Sequence, residues 1–443
     1  MSDPAELRRQ PRVLARSEHT LSRAAVSVNA LKVLYRLHRA GFLAYLVGGA
    51  VRDLLLARTP KDFDVGTNAR PQQVRQLFRN ARVIGRRFRL VMVRFTGEIV
   101  EVATFRRSPE PPEIEDGETA DVLAPTADAG EYGTPEEDAW RRDFTVNGLF
   151  YDIADFSVID HVGGLEDLSA GVIRTIGPPR VRFAEDPVRM MRAVEYGARL
   201  GFRLDAELGD AIAAAHPEIR RAAPARIAYE LTESLKGGQA LAIFRGLEDS
   251  GLLGHTVPEA HEAASGDDAL LWRLLAGADR CVATARPPSE EVLFGLLLLP
   301  AVLSTVAGEG SRRAPPAEVE RAVRERVDGV ALRLALSHHR AHLLRSGFLL
   351  LSRLMAPPRS PRSVLRTVKH EAFPVAWQLA RLLTTADGRY GTLLGPWEQA
   401  VSHVQAGLAP EVPAVRREEG GHAKRRRRRR GSRRRPAEGG SAA

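Results

Sequence analysis

The short apolar run Leu43–Val47 ends in Gly48-Gly49 and passes at once into a helix-like stretch, Ala50–Ala57. No other feature constrains the chain as strongly. A strand that turns through glycines into a helix leaves unpaired backbone N–H groups at the positive end of the helix dipole, a cradle for an anion such as phosphate. A plain strand-to-helix turn would also use glycine for its positive φ, so the pair alone is a weak signal. Arg52 falls in the first turn, placed to hold a phosphate. Thirteen residues after Gly49 comes Asp62-Phe63-Asp64. On a strand, residues i and i+2 share a face, so two carboxylates would stand side by side and repel. Mg²⁺ is their natural counter-charge, since it binds through one or two carboxylates plus substrate phosphates.

The flanking pattern is mixed and then becomes helical. Ser27–Ala40 and Pro71–Arg79 read as helices, and Arg89–Phe95 with Ile99–Phe105 as a hairpin around Thr96-Gly97. From Asp186 on, helical periodicity covers 186–200, 206–215, 224–236, 239–250, 269–281, 289–303, 316–336, 338–355 and 361–385. The expected architecture is an α/β head, with helices on a small mixed sheet, followed by an all-α elongated body. The segments are a loose 1–25, a head 26–180, a helical neck 181–260, a helical body 261–407 and a disordered tail 408–443. Within the head, 108–138 is acidic and proline-rich and reads as a mobile loop, with order resuming at Ala139.

A length of 443 residues implies more than one domain. The single cysteine, Cys281, excludes a disulfide framework and a cysteine-ligated zinc ribbon, and fits a reducing cytoplasm. The longest apolar run, Val292–Leu303, is interrupted by Gly295 and Pro300 and is too short to span a bilayer. The polar first ten residues carry no secretory apolar core. A soluble, cytoplasmic protein is expected, with a monomer as the default.

The net charge of +10 equals the ten positive charges of one segment, so the remaining chain is neutral. Those charges are Lys424, Arg425, Arg426, Arg427, Arg428, Arg429, Arg430, Arg433, Arg434 and Arg435. Such a run binds polyphosphate without sequence preference, and RNA is the favoured partner. Solubility, an acidic partner or an anionic membrane surface are the other readings. The tail has no aromatic residues for base stacking. In the opposite sense, 110–138 holds eleven acids and no Lys or Arg.

LVGGAVRD…KDFDV, residues 46–53 and 61–65, resembles the nucleotidyltransferase head of the polymerase β superfamily. RRDFTVNGL (141–149) and EDPVRMMR (185–192) resemble the next two motifs of its class II branch, which holds tRNA nucleotidyltransferases (CCA-adding enzymes) and bacterial poly(A) polymerases. GRRFRL (85–90), EVATFR (101–106), Asn29–Gly41 and Pro224–Leu235 are similar to bacterial poly(A) polymerase I. The resemblance covers about residues 10–260 and implies template-independent transfer of AMP from ATP to an RNA 3′ hydroxyl, with release of pyrophosphate. It also implies two Mg²⁺ ions, with Mn²⁺ as a substitute, a role in marking RNA for decay, and RNA-decay proteins as partners. A CCA-adding enzyme and a non-catalytic RNA-binding protein are the alternatives. Retention of Asp62 and Asp64 weighs against the second.

Under this resemblance Asp62 and Asp64 bind the metals. Glu101, on the neighbouring strand, is a third carboxylate that closes a metal site or accepts the hydroxyl proton; a surface glutamate is the competing reading. Asp143 contacts ribose and triphosphate, accepting from a 2′-OH, and Arg142 binds phosphates. Asp186 and Arg189, at i and i+3, would share a helix face and read adenine, which offers one acceptor and one donor. Arg192 continues that face toward the triphosphate. Glu195 stands where relatives often have arginine, which removes a phosphate contact, and the acidity of 108–138 is a second departure. Arg220, Arg221, Arg226, Lys236 and Arg245 are candidates for an RNA path.

Overall fold

The computed structural model describes residues 10–85, 89–107, 132–307, 314–392, 394–408 and 410. Most of the acidic stretch (108–131) and the arginine tail lie outside the described residues.

The head begins with β1 (Arg12–Leu14), α1 (Val28–Arg39), β2 (Ala44–Val47), α2 (Gly49–Leu55), β3 (Asp64–Thr67) and α3 (Pro71–Leu77). It continues through β4 (Ala81–Ile84), β5 (Leu90–Phe95), β6 (Glu98–Thr104), α4 (Pro135–Trp140), β7 (Leu149–Asp152), β8 (Val158–Asp160) and α5 (Gly164–Ala170). One eight-stranded sheet forms in the order β1-β8-β7-β2-β3-β6-β5-β4. Its neighbours are antiparallel except β3 and β6, which run parallel. The sheet is mixed, as expected, but wider than the small one inferred from sequence.

α1 starts where Ser27 accepts the Ala30 N–H at 3.0 Å, a cap that contributes about 1 kcal/mol. Its Ala30, Val33, Leu34 and Leu37 are buried at helical spacing against the sheet. β2 is buried on both sides. Ala44 and Leu46 enter the main head core, whereas Tyr45 and Val47 pack with Phe105 and Phe150 on the opposite face. Val47 pairs with Asp64, and Asp64 with Glu101, so both carboxylates share that second face.

The acidic segment is ordered earlier than its composition suggested. Thr134 accepts the Glu137 N–H while the Glu137 carboxylate accepts the Thr134 N–H, and α4 follows at Pro135. This reciprocal cap, with three acids on the positive end of the helix dipole, outweighs their mutual repulsion.

The neck comprises β9 (Val172–Ile173), α6 (Pro179–Glu185), α7 (Val188–Leu200), β10 (Arg203–Leu204), α8 (Ala206–Ala215), α9 (Pro224–Lys236), α10 (Ala240–Asp249), α11 (Leu252–Thr256) and α12 (Pro258–Glu262). The body comprises α13 (Leu270–Ala283), α14 (Glu290–Ala307), α15 (Pro316–Arg333), α16 (His338–Leu354), α17 (Pro361–Val368), α18 (Phe373–Ala386) and α19 (Gly395–Gln405). The single helix expected over 361–385 is two, because Pro374 starts the second and disfavours continuation from the first. Asp186 lies outside α7 with extended backbone, φ −154° and ψ 97°, since Pro187 disfavours the helical region for the residue before it. One core runs from α7 to α19 and takes in Phe144 and Val146 of the head, so head and neck are packed together. Among the described residues no helix is long and apolar enough to cross a membrane.

Candidate active site

A cleft of about 420 Å³ opens where the carboxylate face of the sheet meets α7 and α9. Every residue that the sequence singled out for catalysis or nucleotide binding lines it, Glu101 excepted. Seven Lys or Arg and five Asp side chains form its walls, a balance that suits an anionic ligand accompanied by cations.

Gly48 makes the turn from β2 into α2 at φ 72° and ψ −136°, a region only glycine occupies without strain. A Cβ there would lie 2.8 Å from Arg142 Nη1. Gly49 and Ala50 line the cleft, and first-turn amides of a helix have no intrahelical acceptor.

β3 begins at Asp64, so Asp62 precedes the strand rather than sharing it as expected. Both still reach the cleft. The surrounding protein and the like charge of Glu101 raise the Asp64 carboxyl to about 6, against the pull of Arg142. Asp64 is nevertheless open to solvent on the cleft side. Burial, then Asp62, raises Glu101 as well. Glu101 is the register partner of Asp64 on the neighbouring parallel strand. Glu101 keeps its place as the candidate third carboxylate, beside Asp64 and on the same face of the sheet.

Arg52 lines the cleft with protein partners already in place. It is 1% exposed, with Nη2 2.7 Å from Asp53 and Nη1 donating to Asn147 Oδ1 at 2.5 Å. It braces α2 against the 141–149 motif. Arg142 pairs with Asp138 at 3.0 Å, and its buried Nε has no partner.

Asp143 is also committed. Oδ1 accepts from the Phe144 N–H (2.8 Å) and Asn147 Nδ2 (3.1 Å). Oδ2 accepts from Arg192 Nε at 2.8 Å and lies 2.6 Å from Arg192 Nη2. Three hydrogen bonds and the Arg192 ion pair hold the carboxylate in place. Burial alone would raise this carboxyl; Arg192 and the hydrogen bonds outweigh it and hold the carboxyl below its ordinary value. Asp143 in turn raises the Arg192 guanidinium.

The expected Asp186–Arg189 helical pair is replaced by a different arrangement. Arg226 of α9 grips both Asp186 oxygens, at 2.7 and 2.8 Å. Arg189 Nη1 donates to Glu185 (2.6 Å) and to the Arg182 carbonyl (2.9 Å). No described residue accepts from Arg189 Nε or Nη2, and Asp186 Oδ2 keeps one acceptor position.

Several cleft residues went unread. Tyr196 is contacted by three guanidiniums, with Arg52, Arg192 and Arg199 at 5.2, 5.5 and 5.1 Å from its ring centroid. Arg199 is the one cleft cation without an ion pair among the described residues, and its buried Nε has no partner. Its spacing from Arg192, seven residues or two helical turns, was the available signal. Burial raises the Glu195 carboxyl despite Arg199 and Arg192.

Comparison with known proteins agrees with this geometry. Residues 44–174 match the family described as the poly A polymerase head domain. Residues 201–264 match the one described as the probable RNA and SrmB-binding site of polymerase A. Poly(A) polymerase I of Escherichia coli O157:H7 is 48% identical over 253 residues, covering 55% of this chain and 53% of that protein. The chain thus spans about half the length of such enterobacterial relatives. Poly(A) polymerase I of Haemophilus influenzae is 36% identical over 362 residues, 80% of this chain and 76% of that protein. In fold, the chain is similar to the Bacillus stearothermophilus CCA-adding enzyme in complex with CTP, with a TM-score of 0.56, 24% identity, and coverage of 87% of this chain and 88% of that one. The breadth of the Haemophilus match, with the head and neck families in order, shows that the chain belongs to the poly(A) polymerase I family of class II nucleotidyltransferases.

Proposed function

We propose that the chain adds AMP from ATP to RNA 3′ ends without a template, releasing pyrophosphate, in a role that marks RNA for decay. The carrying observation is that one cleft unites Asp62 and Asp64, the glycine turn, Arg189, and an Asp186 held by Arg226. Adenine N1 would accept from the free edge of Arg189, and N6–H would donate to Asp186 Oδ2. Guanine presents the inverse pattern, and each unmatched buried group costs about 1–3 kcal/mol. Arg226 keeps the Asp186 acceptor in place before the nucleotide arrives. Arg199 and Arg142 would take phosphates. Asp143 acts by orienting Arg192.

The donor set fits Mg²⁺. Asp62 and Asp64 offer hard oxygen ligands, and the like charge around Asp64 is relieved by a cation. An open site completed by substrate phosphates is the usual arrangement for this ion. Held by Asp62 and Asp64, two such ions would acidify the primer 3′ hydroxyl and offset charge at the α-phosphate.

The arginine tail would retain RNA electrostatically. Deleting residues 416–443 should weaken RNA binding and flatten its salt dependence; unchanged affinity would retire this role. Supplying each nucleoside triphosphate separately with Mg²⁺ and a short RNA tests the main reading. Long A tracts from ATP alone support it, whereas a product that stops at C-C-A identifies a CCA-adding enzyme instead.

A further inference from the structure

Arg226, Tyr229 and Glu233 form a stripe along one face of α9, at i, i+3 and i+7. Both outer residues tie this helix to the walls of the cleft. Arg226 holds Asp186, and Glu233 is ion-paired with Lys61, which immediately precedes Asp62. Tyr229 lies between these two clamps. The Lys61 ammonium is in electrostatic reach of both Asp62 and Tyr229. The ring lines a groove next to the cleft, with Ala228 and Glu233 of the same helix and with Leu336 and Arg340.

Tyr229 is 61% exposed, and it is the only aromatic side chain among the exposed large hydrophobic residues described. The helix gains nothing from an aromatic in water. An exposed π-face on a helix that also carries cationic contacts is, in contrast, a combination that binds single-stranded nucleic acid, because every base can stack on it.

We infer that Tyr229 is a stacking platform for an unpaired nucleobase near the 3′ end of the RNA primer. This rests on the proposed AMP transfer, since the primer hydroxyl must approach Asp62 and Asp64. It adds a primer site on α9, distinct from the Asp186–Arg189 base site. Lys61, ion-paired with Glu233 one turn along α9 from Tyr229, would meet the primer backbone, and Glu233 would hold Lys61 in place until it does.

The test uses the full chain with ATP and a short single-stranded RNA. Tyr229→Ala should raise KM for RNA about tenfold while leaving kcat and KM for ATP within twofold. Tyr229→Phe, which keeps the π-face, should behave as the wild type. In parallel, an RNA ending in 2-aminopurine should be quenched on binding the wild type and the Phe variant but not the Ala variant. An unchanged RNA KM with unchanged quenching overturns the inference and leaves the ring as a surface for another partner. An equal rise in KM for ATP also overturns it. If the wild type transfers no AMP, the functional reading falls, while the fluorescence experiment still decides the stacking site.

Discussion

Arg226 and Asp186 are 40 residues apart in sequence and meet as a two-pronged ion pair with bonds of 2.7 and 2.8 Å. The pair joins α9 to the residue that precedes α7, and so couples neck packing to the shape of the nucleotide cleft. Arg226→Ala should free the Asp186 carboxylate to rotate. Preference for ATP over CTP and GTP should then fall about tenfold, the equivalent of about one hydrogen bond to a charged group. Competition assays with paired triphosphates measure this; an undiminished preference for ATP would mean that Asp186 is not read by the base.

Arg199 should serve the triphosphate. Arg199→Ala is expected to raise KM for ATP on the order of tenfold and to weaken inhibition by inorganic pyrophosphate by a similar factor. Adenosine binding should stay the same. Equal losses for adenosine and pyrophosphate would assign Arg199 to the base or to folding instead.

Gly48→Ala forces a side chain into a glycine-only conformation and against Arg142 Nη1. The strain costs about 1–3 kcal/mol. Thermal unfolding should begin a few degrees lower, and KM for ATP should rise because Arg142 is displaced. A melting curve that matches the wild type would contradict the turn geometry.

Glu230 gives stability a pH signature. Burial, with a contribution from Glu195 and against Arg192, raises its carboxyl to about 7. A carboxyl raised on folding binds more protons in the native than in the unfolded state. Its stabilising contribution is therefore full below the unfolded value of 4.5 and is lost as pH rises through about 7. Glu230→Gln removes this loss. The melting temperature of the variant relative to wild type should climb from pH 4 to pH 8; a constant difference would show that Glu230 does not titrate in this way.

The sequence was informative where structure is local. α8 and α9 run over the residues that periodicity marked, because each places apolar residues on one face. The strand, glycine pair and helix around Gly48 were likewise legible from their own residues. What escaped depends on distant partners. Nothing near Asp186 announces Arg226, and Pro187 removes Asp186 from the helix that its spacing suggested. The anchoring of Asp143 requires Arg192, 49 residues away, as well as Asn147. β1 and β8 have three residues each, too few to show an alternating pattern.

The most direct measurement is single-turnover transfer of labelled AMP from ATP to a short RNA with Mg²⁺, comparing the wild type with Asp64→Ala. Transfer should drop at least about a thousandfold in the variant, a loss of roughly 4 kcal/mol in transition-state stabilisation, while RNA and ATP still bind. Extension by Asp64→Ala at a rate near that of the wild type would contradict the assignment of chemistry to this cleft.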